Sequence, residues 1–505
     1  MNVSMPARVS LSAFSQIAHA QAHGLFAVSA TSVAPAASAA RASGAAQIHR
    51  IALHALGTGN AAASAANLSA PAFVATADKD TLGIITAYLS QDDQLVMRNV
   101  DASVRAVVDP IIHALRLSAR EACILFAQPN DLSKLRELYL TNVNDKDLID
   151  LAELLKQMPK TDFELTLELN SFHSRGSSAS ALISVEGLGP LLALRFSGLT
   201  LKHIPISAAL SRALEHSVSP LSLTLPYHNS GEDLLDEISR IPTLRSLQIG
   251  RQCNMSSVAI NALRSHEKLD RLEIYIISGE HLAILATSAH IRSLKVEFIR
   301  HGGQAAALTA LAENHALTSL DLRVDDANAL AVLSQNVTLQ KLYLNVRQLT
   351  RSSLASIAAM PALEEFLLSG HAGLEEPICV DDIAALSARP LKSLSFRDIQ
   401  MDGPMRSLLA TAKTAKLRLE SCTPFEREDF AALGQNRSIG SLFIWNSGRS
   451  TSFDDVLSMV TSGLPQLESL DVTVRYAEGV VPAIEAAWVA SGRQLANLNL
   501  GLGVD

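Results

Sequence analysis

The sequence predicts an α/β solenoid in which a strand and a helix alternate along most of the chain. The clearest support lies in residues 316–349, where the pattern L-x-x-L-x-L starts at Leu317 and again 22 residues later (339 − 317) at Leu339. Between the two, residues 327–333 carry apolar side chains at helical spacing. Each repeat is therefore expected to contain one strand and one helix, and its core is built by stacking on its neighbours.

The same pattern recurs along the rest of the chain. If the first apolar residue of each L-x-L pair is taken as a marker, the markers are Leu138, Leu165, Leu194, Leu223, Leu247, Leu272, Leu294, Leu320, Leu342, Phe366, Leu394, Leu417, Leu442, Leu470 and Leu498. Their mean spacing, (498 − 138)/14, is about 26 residues, within the range of about 20–29 that is typical of leucine-rich repeats. The sequence thus resembles a curved leucine-rich-repeat solenoid of about 15 repeats.

Strand geometry predicts which side chains face a partner. Because strand side chains alternate between faces, the two apolar residues of L-x-L point into the core and the residue between them points outward, on the concave side. Aromatic and arginine side chains often anchor protein interfaces. We therefore expect target-binding residues at Lys295, Asp321, Tyr343, Leu367, Arg418, Phe443 and Trp445. The alternative is that these bulky side chains only pack on one another.

Composition excludes several other functions. The 505 residues carry a net charge of −8, which argues against a general nucleic-acid or anionic-membrane binder. The four cysteines, Cys123, Cys253, Cys379 and Cys422, are far apart and are expected to be reduced, buried thiols without a disulfide or zinc site. No apolar run is long enough to cross a membrane. Catalytic and nucleotide-binding motifs are absent, so we expect a non-enzyme without cofactor or metal.

Residues 1–77 differ in composition from the repeats. They contain no Asp or Glu and are rich in Ala and Ser, so we expect a flexible leader that cannot bury enough apolar surface to fold. Three interpretations are open: a Sec signal, a mitochondrial transit peptide, or the uncleaved leader of a type III secretion substrate. His19 and His23 have the spacing of a metal pair, but no third ligand accompanies them.

Residues 78–130 precede the markers and are expected to be helical. Apolar residues at i, i+3 and i+7 from Leu82 form one helical face, and Asp92-Asp93 then marks a turn before a second helix. The arrangement resembles an F-box, although the usual opening Leu-Pro is missing. On this match the adaptor-binding residues are Leu82, Ile85, Leu89, Leu95, Val100 and Val104. The alternative is a helical cap that shields the first repeat from solvent.

The leader, the F-box-like segment and the repeats of 131–505 together resemble the GALA family of plant-pathogen type III effectors. One repeat beginning at Leu311, LAENHALTSLDL, carries the family pattern, and Gly303-Gln-Ala-Ala-Ala-Leu308 is the nearest match to its Gly-Ala signature. The resemblance implies a monomeric adaptor that is secreted into a host cell. It would bind a host Skp-type protein of a cullin ubiquitin ligase through 78–130 and an unknown host target through the repeats. The alternative function is a repeat protein that binds or masks a partner without recruiting a ligase.

Overall fold

A computed structural model describes most of the region after residue 111. The described residues are 112–127, 132, 134–158, 162–169, 183–225, 232–250, 255–300, 302–324, 329–346, 351–370, 385–399, 403–422, 426–445, 453–462, 464–475 and 497–503. They belong to two compact units, one within 21–247 and the other within 248–505. The expected leader, 1–77, and the F-box-like helices lie outside the described residues.

Short strands follow one another through both units. They are β1 (Ala114–Ser118), β2 (Glu137–Thr141), β3 (Glu164–Glu168), β4 (Gly198–Lys202), β5 (Leu221–Thr224), β6 (Leu244–Ile249), β7 (Arg271–Ser278), β8 (Ser293–Arg300), β9 (Ser319–Val324), β10 (Lys341–Val346), β11 (Glu365–Gly370), β12 (Leu391–Arg397), β13 (Thr414–Glu420), β14 (Ser441–Trp445), β15 (Ser469–Arg475) and β16 (Asn497–Gly503). In the first unit β1 to β5 pair in parallel and in chain order. The second unit repeats this order from β7 to β16.

Helices alternate with these strands. They are α1 (Ala119–Phe126), α2 (Asp145–Lys156), α3 (Val185–Leu192), α4 (Ala208–Leu214), α5 (Glu232–Ile238), α6 (Ser257–Ser265), α7 (Gly279–Leu285), α8 (Gln304–Glu313), α9 (Ala329–Leu333), α10 (Arg351–Ala358), α11 (Gly403–Thr411), α12 (Arg427–Gln435) and α13 (Phe453–Ser462). Parallel strands require such crossover connections. No described helix is long and apolar enough to cross a membrane.

Short polar side chains fix where many of the helices begin. Ser118 and Ser184 accept a hydrogen bond from the backbone N–H three residues ahead, as do the side chains that precede α2, α4, α6 and α7. Such a cap satisfies one of the backbone donors that every helix leaves unpaired at its start. At Ser118 the cap is reciprocal, because Glu121 accepts from the Ser118 N–H in return.

Burial along the strands follows the predicted alternation. In β9 and β10 every second residue is buried, beginning with Leu320 and Leu342, and the residues between them are half-exposed. The buried side chains meet those of the helices, such as Leu308 and Leu311 of α8, which are 0% exposed. The core therefore lies between sheet and helices, as the L-x-L pattern predicts, and the leucine-rich-repeat α/β solenoid is confirmed as the fold class.

The strands begin earlier than the sequence markers predicted. Strand β1 lies within 78–130, the segment interpreted as F-box-like, and Leu115 pairs in register with Leu138 of β2. Ile112, Leu115 and Leu117 fit L-x-x-L-x-L, so the repeat pattern extends upstream of residue 131. The described strand β1 thus lies in the C-terminal part of a segment that the sequence predicts to be helical.

Two of the predicted markers are displaced. The structure aligns Leu165 with Leu199 and Leu199 with Leu221, not with the predicted Leu194 and Leu223. Phe196, taken as the second residue of an L-x-L pair, is buried ahead of the strand, where its ring lies 5.6 Å from that of Phe163. The register is hard to predict here because apolar residues also alternate on either side of each strand. From Leu272 to Leu498 the predicted markers do pair with one another.

Buried amides close the turns between helix and strand. The Asn336 side chain donates to the carbonyls of Leu311 and Asn314 at 2.9 and 2.8 Å, and its oxygen accepts from the Thr338 and Leu339 N–H groups. Asn314 and Asn436 make the same kind of bonds to the preceding repeat. Each asparagine thus satisfies carbonyls left unpaired where a helix ends, and it ties one repeat to the next.

Arg389 occupies the corresponding place in a shorter turn. Its guanidinium donates to the carbonyls of Ala358, Pro361 and Leu363 at 2.7, 3.1 and 2.9 Å. An arginine has no acceptor for the following backbone N–H groups, but the next residue is Pro390, which has none to donate. The Leu391 N–H instead bonds to the Arg389 and Lys413 carbonyls.

Candidate binding surface on the open face of the sheet

The strand face that points away from the helices, here called the open face, carries the exposed strand side chains. It contains the position between the two buried residues of each L-x-L pair and the positions two residues before and after it. The sequence-predicted target residues Lys295, Asp321, Tyr343, Leu367, Arg418 and Phe443 all occupy the middle position, on β8, β9, β10, β11, β13 and β14. Trp445 is two residues further along β14 and lies on the same face.

An acidic cluster, defined as Glu273, Lys295, Glu297 and Asp321, occupies β7 to β9. Lys295 Nζ lies 2.9 Å from Glu273 Oε1 and 3.6 Å from Glu297 Oε1. Asp321 is the register partner of Lys295 on the next strand. With one cation and three carboxylates, the cluster has a formal charge of −2 (1 − 3).

Burial dominates the titration of this cluster. Desolvation by burial raises the pKa of Asp321 to about 6. The charges of Lys295 and Arg397 lower this pKa, and the charges of Glu297 and Glu273 raise it. Desolvation would lower the pKa of Lys295, but the hydrogen bond and the charge of Glu273 raise it overall. The ionisation of Asp321 is therefore displaced toward neutral pH.

Tyr343 and Leu367 lie between the acidic cluster and the strands that follow. The Tyr343 hydroxyl donates to Glu365 Oε2 at 3.2 Å, and Lys341 Nζ contacts Glu365 Oε1 at 2.8 Å. Burial, and then the neighbouring Glu365, raise the pKa of the Tyr343 phenol, so it remains a neutral donor. Leu367 is half-buried beside Tyr343, in register with it. The expected apolar spot is therefore small and is bordered by a polar network.

A second cluster, the arginine–aromatic cluster, is defined as Arg397, Arg418, Glu420, Phe443 and Trp445 on β12 to β14. Glu420 forms ion pairs with both arginines, while its own side chain is only 5% exposed. The Arg418 guanidinium also stacks over the Phe443 ring, 4.2 Å from its centroid. A carboxylate beneath two guanidinium groups holds both of them in place at the surface.

Trp445 is the exposed member of this cluster. Its side chain is 48% exposed, and Trp445 is the register partner of Glu420 on the neighbouring strand. The Arg397 and Arg418 side chains are 48% and 50% exposed. An indole and two oriented guanidinium groups are thus available together on one strip of the open face. Aromatic and arginine side chains of this kind carry much of the binding energy in protein interfaces.

The open face of the first unit contains a smaller cation–aromatic group. The Tyr139 ring lies beneath the Arg116 guanidinium at 4.6 Å and the Lys202 ammonium at 5.1 Å. Tyr139 is half-buried by this contact. The Arg116 and Lys202 side chains cover the Tyr139 ring, so this group exposes less aromatic surface than the arginine–aromatic cluster.

Sequence reasoning missed several residues of the open face. Arg397, Glu420 and Glu297 lie two positions after the predicted strand position, and alternation continued by one more step would have included them. Tyr275 and Phe298, whose rings are 5.1 Å apart, belong to the longer strands β7 and β8. Arg323 stacks over Phe298 at 4.4 Å. The length of those two strands could not be deduced from the L-x-L markers.

The two cysteines that the structure describes are free thiols. Burial is the largest cause that raises the pKa of Cys123 and of Cys422 to about 11, so both stay protonated. Cys422 is 2% exposed and its thiol contacts the Phe396 and Glu420 carbonyls. Within the described ranges no group of three or more His, Cys, Asp or Glu residues is placed to hold a metal ion.

The predicted adaptor-binding residues cannot be placed in the same way. Leu82, Ile85, Leu89, Leu95, Val100 and Val104 all lie outside the described residues. Their role stays a prediction from the sequence.

The repeated strand, buried turn and helix define a leucine-rich-repeat protein. No protein-family model matches this chain, and no curated protein matches it in sequence. A crystal structure of a TLR13–ssRNA13 complex is similar, with 16% identity, a TM-score of 0.41, and coverage of 74% of this chain and 53% of that one. An internalin (inlF) from Listeria monocytogenes has 15% identity and a TM-score of 0.34, covering 77% of this chain and 95% of that one. The chain spans about half the length of the TLR13 chain.

Proposed function

We propose that this protein is a protein-binding module whose ligand surface is the open face of β7 to β15. The observation that supports the proposal most directly is the arginine–aromatic cluster, in which an exposed indole lies beside two guanidinium groups held by a buried carboxylate. Trp and Arg are enriched among the residues that carry most of the binding energy in protein interfaces. Parallel strands also hold their side chains at fixed spacing, which suits recognition of a folded or extended protein surface.

A photo-crosslinker placed on each face tests this proposal. Leu367 on the open face and Val258 on helix α6, which is 56% exposed, would each be replaced by a photoreactive phenylalanine analogue in the full chain. We expect the Leu367 variant to crosslink to discrete proteins, in competition with unlabelled chain, and the Val258 variant to give none of the same products. Identical products from both positions would contradict a binding role for the open face.

We further propose that the bound protein is delivered to a host ubiquitin ligase. This finer proposal is supported by the resemblance of 78–130 to an F-box and by the acid-free leader, which together imply a substrate adaptor translocated into a host cell. The docking energy would come from burial of Leu82, Ile85, Leu89 and their apolar neighbours in a Skp-type protein. The acidic cluster and the arginine–aromatic cluster on the open face would then bind the target.

A pull-down with plant Skp-type adaptors tests the finer proposal. We expect the full chain to retain an adaptor and the Leu82→Ala, Leu89→Ala double variant to lose it while its circular dichroism stays unchanged. If wild type retains none of the adaptors, the segment from Leu82 to Val108 is interpreted instead as a cap of the solenoid. The alternative function then takes its place: a repeat protein that binds or masks its partner without recruiting a ligase.

A further inference from the structure

We infer that the arginine–aromatic cluster binds a protein segment in which a carboxylate side chain lies within a few residues of an apolar or aromatic anchor. The inference rests on the proposed protein-binding function and names the chemistry of the partner at one place on the open face. It depends on three observations: the local charge, the orientation of the arginines and the exposure of Trp445.

The local charge selects a carboxylate. Arg397, Arg418 and Glu420 sum to +1 (2 − 1), and on the flanking open-face positions Lys416 and Asp471 cancel each other. The whole chain has a charge of −8 and the acidic cluster a formal charge of −2, so the sign of the charge at this cluster is opposite to both. A partner with a positive charge here would meet two guanidinium groups and be repelled.

The orientation of the arginines favours a carboxylate over a diffuse negative charge. Glu420 contacts Arg397 through Nε and Nη2, and Arg418 through Nε. Stacking on Phe443 fixes the plane of the Arg418 guanidinium at 4.2 Å from the ring centroid. The two arginine side chains are thus ordered before binding, and about half of each remains exposed, so they lose little conformational entropy when a partner contacts them.

The exposure of Trp445 supplies the apolar half of the site. The indole lies on the strand next to Glu420, within one inter-strand step of about 4.8 Å from the arginine strand. An anchor on Trp445 and a carboxylate on the arginines would therefore be close neighbours in a partner chain. In an extended segment with a rise of about 3.3 Å per residue, that distance corresponds to a separation of one to three residues.

Nucleic acid fits this cluster less well than an acidic protein segment. Affinity for a phosphate backbone comes from many cations that each neutralise a phosphate, whereas this site offers a net charge of one. The acidic cluster begins three strand steps away, from β12 to β9, which is about 14 Å across the sheet, so a longer polyanion would meet carboxylates and gain no further cations in that direction. Binding of an oligonucleotide is an outcome of the test that would overturn the inference.

The test selects peptides with the full-length protein. A phage library of random 16-residue peptides would be panned on immobilised wild-type chain after depletion on a Trp445→Ala variant. We expect enriched peptides to share Asp or Glu within three residues of Trp, Phe, Leu or Ile. A fluorescein-labelled synthetic copy should bind wild type in fluorescence anisotropy.

Matched variants then locate the bound peptide. We expect Trp445→Ala to weaken its Kd by about 30-fold, as for an interface anchor, and Arg418→Lys to weaken it by about tenfold because the planar fork is lost. Val258→Ala removes an exposed apolar side chain from helix α6 and should leave Kd unchanged. Trp445 is exposed, so its loss leaves the core intact, and circular dichroism checks this for each variant.

Four results would overturn the inference: enrichment of basic peptides, no enrichment, a Kd insensitive to Trp445→Ala, or tighter binding of a labelled 16-nucleotide U-rich RNA than of any peptide. Failure of this inference and failure of the proposed function are distinguishable. Crosslinking from Leu367 that persists in the Trp445→Ala variant would leave the binding function in place and move the partner away from this cluster.

Discussion

The acidic cluster and the arginine–aromatic cluster use opposite arrangements of the same chemistry. In the first, one lysine is shared by carboxylates on three strands; in the second, one buried glutamate is shared by two arginines. Lysine is a flexible point charge, whereas arginine presents a planar fork that also stacks on an aromatic ring. A similar number of charged groups can thus give either a surface whose charge changes near neutral pH, as in the acidic cluster, or one whose side chains are held in fixed orientations, as in the arginine–aromatic cluster.

The largest expected difference between the two clusters is the loss of stability when one carboxylate is removed from each. Glu420→Gln removes the charge that two half-exposed guanidinium groups share and leaves an uncharged amide at a nearly buried position, and we expect a loss of about 2 kcal/mol in unfolding free energy. Glu273→Gln removes one ion pair but also relieves repulsion with Asp321 and Glu297, so the expected loss is below about 0.5 kcal/mol. Urea denaturation midpoints of the two variants measure the difference. Equal losses would mean that Glu420 does not hold the arginines.

The pH dependence of stability should distinguish the clusters next. The pKa of Asp321 is about 6 in the folded protein, above its ordinary value of 3.8. Between these values the folded state holds more protons than the unfolded state, so this residue makes stability fall as pH rises from about 4 to 6. Below pH 4 the penalty is absent, and above pH 6 it is fully present.

Asp321→Asn should remove that penalty. We expect the variant to melt about 2 °C above wild type at pH 7 and at the same temperature at pH 4, given partial exposure of the carboxylate. Asp270→Asn removes a carboxylate at an exposed position and is the control for the loss of one negative charge. A higher melting temperature for Asp321→Asn at both pH values would show that ionisation is not the cause.

The smallest expected difference concerns pairwise coupling. A double-mutant cycle of Arg418→Gln with Phe443→Leu should give a coupling of about 0.5–1 kcal/mol that persists in 1 M salt, because the stacked pair is partly desolvated. The cycle of Lys295→Gln with Glu273→Gln should give about 0.5 kcal/mol or less and decline further in salt. Salt sensitivity of the same size in both cycles would remove the distinction between the clusters.

The apolar positions of the fold could be predicted well from the sequence. Leu272, Leu294, Leu320 and Leu342 each lie three residues after another buried Leu or Ile, which completes the L-x-x-L-x-L pattern, and the structure pairs them as predicted. Around Leu221 and Leu223 the apolar residues alternate over more than one L-x-L pair, so the sequence could not decide between registers two residues apart. Only the pairing with the neighbouring strands determines which of the two registers forms.

The candidate surface was predicted less completely than the fold. The alternation of side chains along the strands predicted that Arg418 and Phe443 face outward. It could not predict that Glu420 is buried beneath two arginines. Burial of a charged side chain depends on what the adjacent strands carry at the same height, here Arg397 and Trp445. Such contacts join residues more than 20 positions apart and leave no local pattern in the sequence.

Arg389 bears on how such an array changes in length over evolution. The turn after Asn336 reaches its first buried strand residue in three positions (339 − 336), whereas the turn after Arg389 does so in two (391 − 389). The arginine side chain is longer than that of asparagine, so its guanidinium reaches the Ala358 and Leu363 carbonyls of the preceding repeat. Pro390 has no backbone N–H, so the turn contains one donor fewer that needs a partner. Arg389 and Pro390 thus allow a turn that is one residue shorter while carbonyls of the preceding repeat stay hydrogen-bonded. Repeats can therefore diverge one residue at a time, instead of only by gain or loss of whole units.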